Sequence, residues 1–317
     1  MSPTSPSPTS PSPVVSSPPR PQRLAEQPHH IRAFLRLVVI EHSVFALPFA
    51  YLAALAAGYH QTRSVHWRAL VLVTVAMVAA RTFAMAANRV IDREIDARNP
   101  RTMHRELVTG AVSVRTATTG AVVALAVLLL AAGLLSPLCL VLAPVAVAPL
   151  VFYPYAKRFT DLPQAVLGVA QAVAPVGAWI AVTGHWSWTA LLLGLGVGAW
   201  IGGFDLIYAS QDAEIDRVIG VRSVPARWGV RAALRASVVV HGATFALFAA
   251  FGVLEGFGSL WYAGLVLTAA AFVYEHAIVS PSDLSRVNRA FFTANGFVGI
   301  ALFGFGLADL LVRGLSG

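Results

Sequence analysis

Apolar runs of similar length alternate with short polar segments along most of the chain. The first run spans about Ala33 to Gly58. Others cover 68–90, 113–135, 137–155, 162–183, 187–209, 230–253, 256–277 and 289–312. Each lies near the ~20 residues that a helix needs to cross the hydrocarbon core. The pattern predicts an all-α, polytopic membrane protein with about nine transmembrane helices. Pro137 and Gly184 are placed to punctuate tight turns between neighbouring helices. Residues 1–22 are rich in Ser, Pro and Thr, have no apolar core and are predicted to be a disordered tail. No signal-peptide h-region follows the start. Residues 23–317 then form one transmembrane domain.

Composition agrees with the pattern. The 317 residues are 57% hydrophobic and 12% charged, and a soluble domain carries about twice that charge. The net charge of +8 is a topology signal here and does not indicate nucleic-acid binding. Of the 23 Lys and Arg residues, Arg63, Arg68 and Arg313 fall on one side of the predicted bundle and Arg81 within a span; the rest share the opposite side. The positive-inside rule then puts the N-terminus in the cytoplasm and the C-terminus outside, in a cell membrane. The one cysteine, Cys139, allows no internal disulfide and reads as a packing residue.

Two stretches break the apolar pattern in the same way. One is Asn88-Arg-Val-Ile-Asp92-Arg-Glu-Ile-Asp96, the other Asp205-Leu-Ile-Tyr208-Ala-Ser-Gln-Asp212-Ala-Glu-Ile-Asp216. At roughly 100° per residue, Arg81, Asn88, Asp92 and Asp96 share a helical face of about 80°. Asp205, Tyr208, Asp212 and Asp216 share another. Both lie at the cytoplasmic ends of their helices, each before a basic loop (97–112 and 217–229). Ionisable groups in a membrane are costly and mark function by default. Stacked carboxylates repel unless a cation lies between them, and Mg²⁺ takes one or two carboxylates together with water and phosphate oxygens. A Mg²⁺–diphosphate site between the two helix ends is the expectation.

The chemistry that fits is ionisation of an allylic diphosphate. Asp92 with Asp96, and Asp212 with Asp216, are the candidate metal ligands. Lys157 and Arg158 are candidates to hold diphosphate oxygens. Tyr153, Tyr155 and Tyr208 are candidates to face an allylic cation. An electron-rich aromatic acceptor then captures that cation. The bland alternative, acids paired with arginines at the membrane surface, accounts for one Asp more easily than for two matched clusters.

These motifs, with Tyr153-Pro-Tyr-Ala-Lys157-Arg158, resemble the UbiA superfamily of intramembrane aromatic prenyltransferases over about residues 31–313. The resemblance implies nine helices around a central cavity, with Mg²⁺ and diphosphate at the cytoplasmic end. The residue after the Asn is often Asp in that family; here it is Arg89, which leaves the spaced carboxylates intact. Ile40-Glu-His-Ser-Val-Phe-Ala-Leu-Pro48, Arg81–Arg101, Gly203–Tyr208 and Tyr274-Glu-His-Ala-Ile-Val-Ser-Pro281 are similar to the futalosine-route menaquinone prenyltransferases. That branch implies a polyprenyl diphosphate donor and a dihydroxynaphthoate acceptor. The alternative acceptor is 4-hydroxybenzoate, whose enzymes share the core motifs.

Other residues carry paired readings. Arg81 either binds an aromatic carboxylate or balances nearby acids. Asn88 either orients substrate or a Mg²⁺ ligand, or makes an interhelical hydrogen bond. Asp205 either accepts the phenolic proton or forms a salt bridge. Glu41 and His42 either line the cavity or pair within the bundle. Glu275 and His276 are expected at the membrane interface. Gly194, Gly196 and Gly198 read as a close-packing face, since no strand precedes them. Two rival functions are weaker. A CDP-alcohol phosphotransferase needs a D-G-x-x-A-R signature that is absent from the sequence. A transporter places its site near the bilayer midplane, whereas both clusters here lie at one side.

Overall fold

The computed structural model describes residues 45–317. The predicted tail over 1–22, and Glu41 and His42, lie outside the described residues. Helix α1 covers Leu47–Thr62 and α2 covers Trp67–Ile91. Two short helices come next, α3 (Arg93–Arg98) and α4 (Glu106–Thr109). Then come α5 (Val114–Leu135), α6 (Pro137–Phe159), α7 (Pro163–Thr183) and α8 (Trp188–Ala209). A turn over Ser210–Asp212 leads into α9 (Ala213–Ile219) and α10 (Val224–Trp228). The chain ends with α11 (Val230–Leu254), α12 (Ser259–Ala277), α13 (Val287–Arg289), a π-helical turn (Ala290–Ala294) and α14 (Asn295–Val312).

Local chemistry sets the boundaries. Ser113, Ser136, Ser187 and Ser223 each accept a hydrogen bond from a backbone N–H in the first turn of the next helix, which satisfies a donor the helix leaves unpaired. Pro137 and Pro163 stand at helix starts, where their missing N–H costs nothing. Gly184 ends α7 at φ 72°, in the left-handed region that favours glycine.

Among the described residues, seven helices are long and apolar enough to cross a membrane. The predicted first and eighth spans correspond to α1 and α12, which are helical but not among the seven. The described part of α1 is 16 residues long. Helix α12 carries Tyr262, Tyr274, Glu275 and His276, which lower its mean hydropathy. The count of nine is therefore not reached by length and composition.

Helix α8 is the most enclosed span and α6 the least. Helix α8 packs on α7 and α11, and α1 packs on α7. The central core joins Phe49, Trp200, Phe248 and Trp261, all with no exposed surface. The predicted close-packing glycines make this possible. A Cβ on Gly198 would run into the Gly168 carbonyl of α7, and one on Gly196 would lie 2.6 Å from the Phe248 ring of α11. Two of the three basic residues assigned to the sparse side meet there: Arg63 Nη1 donates to the Arg313 carbonyl at 3.3 Å. The acidic stretches lie at the other end of the long helices.

Candidate active site

Both acidic stretches change direction at their middle Asp. Helix α2 ends at Ile91, and Asp92 joins it to α3. Helix α8 ends at Ala209, and the turn ending at Asp212 joins it to α9. The helical ladder continues across the first joint. Asp92 N–H donates to Asn88 O at 2.9 Å and Asp96 N–H to Asp92 O at 2.8 Å. Asn88, Asp92 and Asp96 therefore keep the common register their spacing predicts.

The four carboxylates are buried, and three of them meet a cation. Asp92, with no exposed surface, accepts from Lys157 Nζ at 2.5 Å and Arg158 Nη1 at 3.3 Å. Asp96 accepts from Arg105 Nη1 at 2.6 Å. Asp212 is held by both Nε and Nη2 of Arg101, with Nε at 2.8 Å from Oδ1. Asp216 accepts from Ser223 Oγ at 3.3 Å. Burial, and to a smaller extent the neighbouring Asp96, pushes the Asp92 carboxyl up, and Lys157 and Arg158 oppose the shift. Burial disfavours the Arg101 cation too, yet the Asp212 hydrogen bond and the charges of Tyr208, Asp212 and Asp216 together outweigh it and hold Arg101 protonated. Lys157 lies within electrostatic reach of Asp92, Asp205 and Asp216, so it stands between the two stretches.

Next to this charged layer is a cavity of about 1320 Å³, lined mostly by apolar side chains. Arg81, Asn88, Tyr153, Asp205 and Tyr208 line it. Tyr153 is within electrostatic reach of Asp205, Asp92, Arg105 and Arg81. Among the described residues, Arg81 has no ion-pair or hydrogen-bond partner, and its buried Nε is unsatisfied. Tyr155 is not brought to the cavity. It comes two residues after Tyr153, a rotation of about 200°. It is 43% exposed, with the Arg158 guanidinium over its ring at 5.3 Å. Glu275, near the end of α12, has no exposed surface and packs inside the bundle, where Asn295 Nδ2 donates to its Oε1 at 2.8 Å.

The loop after α3 contributes residues given no site role in the sequence: Arg101 and Arg105 counted only as topology charges, and Asn99 was not singled out. Asn99 Nδ2 donates to Asp212 at 3.3 Å, Arg101 grips Asp212, and Arg105 grips Asp96. Arg101 Nη1 also donates to Tyr208 Oη at 3.1 Å. One segment thus ties the two acidic stretches together. Its only advance signal was a run of arginines close behind an acidic helix end.

The donor set fits Mg²⁺. It is made of hard carboxylate oxygens in two pairs, beside cations suited to phosphate. Among the described residues, no group of three or more His, Cys, Asp or Glu is placed to hold an ion by itself. Two-carboxylate sites match an ion that completes its shell with water and phosphate oxygens.

Long apolar helices, a mostly apolar cavity and a buried polar end with paired acids and cations define a polytopic membrane protein. Residues 46–297 match the model of the UbiA prenyltransferase family. The chain belongs to that family and is an aromatic prenyltransferase. It is 35% identical over 248 residues to the 4-hydroxybenzoate octaprenyltransferase of Alkalilimnicola ehrlichii, covering 78% of this chain and 84% of that one. The enzyme of the same name from Aromatoleum aromaticum is 33% identical, with 74% and 79% covered. Those names match the alternative acceptor, 4-hydroxybenzoate, better than dihydroxynaphthoate. Among solved structures, the apo UbiA homologue of Aeropyrum pernix K1 superposes with a TM-score of 0.77 at 35% identity, covering 86% of this chain and 98% of that one. A UbiA homologue of Archaeoglobus fulgidus, bound to DMAPP and Mg²⁺, shares the fold with a TM-score of 0.68 at 20% identity, covering 88% and 99%.

Proposed function

We propose that this chain transfers a polyprenyl group from polyprenyl diphosphate to the ring of 4-hydroxybenzoate, with Mg²⁺, at the cytoplasmic side of the cell membrane. The observation that carries the reading is Arg81, a guanidinium without a partner among the described residues, lining an apolar cavity next to the acidic layer. A carboxylate on the acceptor satisfies it through a planar fork.

Asp92 with Asp96 and Asp212 with Asp216 would hold Mg²⁺, which would supply positive charge to offset that of the leaving diphosphate. Lys157 and Arg158 turn from Asp92 to the diphosphate oxygens. The C1–O bond of the donor breaks, and both electrons leave with the diphosphate. Tyr153 and Tyr208 face the allylic carbon. Asn88 hydrogen-bonds the acceptor hydroxyl, and Asp205 takes its proton, so the ring carbon becomes the stronger nucleophile. That carbon bonds to C1, and the ring loses a proton. The polyprenyl tail lies in the apolar part of the cavity.

The catalytic unit is 23–317, crossing the membrane about nine times, with residues 1–22 as a dispensable tail. The dihydroxynaphthoate reading keeps the support of the motifs at Gly203–Tyr208 and Tyr274–Pro281. An acceptor panel with mass analysis of products tests the assignment. Prenylated 4-hydroxybenzoate as the main product supports it. Product from dihydroxynaphthoate alone would replace it with the second reading, and no prenylated aromatic at all would refute both.

A further inference from the structure

Aromatic rings wall the cavity beside its charged end. Phe291 and Tyr208 both line the cavity, with ring centroids 4.5 Å apart. Phe291 also meets Phe204 nearly edge-on at 5.0 Å and Phe45 at 5.6 Å. Tyr208 Oη accepts from Arg101, which grips Asp212. A continuous chain of contacts therefore runs from the Phe291 ring to the acidic layer.

The backbone beneath Phe291 is unusual. Ala290–Ala294 form a π-helical turn, in which one residue is added to the helical repeat. Such a turn rotates the next helical segment by about 100° relative to an uninterrupted helix. Phe291 can then face the cavity while Asn295 faces inward. Asn295, with no exposed surface, makes three hydrogen bonds there. Its Oδ1 accepts from Trp200 Nε1 at 2.7 Å, and its Nδ2 donates to Glu275 Oε1 at 2.8 Å and to Ala290 O at 3.2 Å. The bond to Ala290 O fastens the first residue of the π-helical turn. Buried polar groups are tolerated when satisfied, and this one pins the turn that carries Phe291.

We propose that Phe291 faces the allylic cation, and that Asn295 is the positioning residue that holds it there; this rests on the prenyl-transfer reading. Once the C1–O bond has broken and both electrons have gone with the diphosphate, two fates compete. The acceptor ring supplies an electron pair and then loses a proton, or water supplies one and loses a proton to give the prenyl alcohol. The face of the Phe291 ring attracts the cation, and its apolar bulk keeps water from that side.

Two unreactive probes separate this role from a packing role. One is a polyprenyl thiolodiphosphate, uncharged at C1. The other is a polyprenyl ammonium, charged at that position, given with inorganic pyrophosphate; Mg²⁺ is present with both. Binding is measured on the full chain for wild type, Phe291→Leu, Phe291→Tyr and Asn295→Leu. Phe291→Leu should weaken the ammonium probe about tenfold and the thiolodiphosphate by less than about twofold. Phe291→Tyr should keep both affinities, and Asn295→Leu should reproduce the selective loss. In turnover with donor and acceptor, Phe291→Leu should divert more of the released pyrophosphate equivalents into prenyl alcohol. Should Phe291→Leu fold poorly, Phe291→Met carries the same comparison. Equal weakening of both probes, or no change in either, would overturn the proposal. A wild-type chain that binds neither probe would overturn the donor reading and this assignment with it.

Discussion

Asp92 and Asp212 adopt one backbone conformation, φ −93°, ψ 3° and φ −98°, ψ 2°, each at the joint between a long apolar helix and a short polar one. This bridge region is sparsely populated and recurs at functional sites. The two stretches are thus alike in shape as well as in spacing. Each carries a first Asp at the bend and a second one helical turn beyond, where the chain leaves the apolar bundle.

The Arg101–Asp212 pair sets an expectation about metal binding. Arg101 occupies the buried Asp212 carboxylate, so a metal ion arriving alone must displace a cation already paired to it. Arg101→Gln should raise the affinity for Mn²⁺ alone by about tenfold, the order of one charge-assisted hydrogen bond. With the thiolodiphosphate present, the same variant should bind Mn²⁺ more weakly, because Arg101 then serves the diphosphate. Titration monitored by electron paramagnetic resonance checks both signs. A variant that binds Mn²⁺ more weakly in both conditions would contradict this account.

Arg81→Lys should raise the acceptor KM about tenfold or more while leaving the donor KM near its wild-type value, because an ammonium cannot reproduce the planar fork. Steady-state kinetics on matched amounts of folded protein, varying each substrate in turn, reads the difference. Equal losses for both substrates would remove the carboxylate-anchor role.

Gly198→Ala should destabilise the folded protein by about 1–3 kcal/mol, since its Cβ would press on the Gly168 backbone where nothing flexible can yield. Gly177→Ala is the control, with nothing near its added carbon. Thermal unfolding in detergent should lower the midpoint for the first and not for the second. Similar midpoints would show that α7 and α8 can separate without cost.

Much of the fold was legible in the sequence because a membrane forces a simple code. Backbone in hydrocarbon must be satisfied internally, and continuous apolar runs of about 20 residues do so as helices, so those runs marked the long helices and a few polar residues stood out as sites. Asn88-x3-Asp92-x3-Asp96 could be read as one face because the ladder continues across Asp92. Pairing between distant segments was not legible. Nothing local indicates that Arg101 and Asn99 reach Asp212, or that Arg105 reaches Asp96. The π-helical turn under Phe291 was hidden for a related reason. It depends on Trp200 and Glu275, which come from other helices. Tyr155 departs from expectation because nearness in sequence to a charged cluster does not give the side of the helix.

The distribution of basic residues predicts that the N- and C-termini lie on opposite sides of the membrane. Reporters fused at Met1 and after Gly317 should report the cytoplasm and the outside, respectively. Both reporters in one compartment would require an even number of crossings.

The central claim is that the two acidic helix ends act together on one diphosphate. Pyrophosphate release by purified Asp92→Asn and Asp212→Asn, assayed with prenyl diphosphate, 4-hydroxybenzoate and saturating Mg²⁺, tests it most directly. Each change keeps the size of the side chain and removes its charge. Each single variant should lose activity by at least about a hundredfold while remaining folded in the membrane, and the double variant should lose little more than either. Near-wild-type release by either single variant would contradict the account.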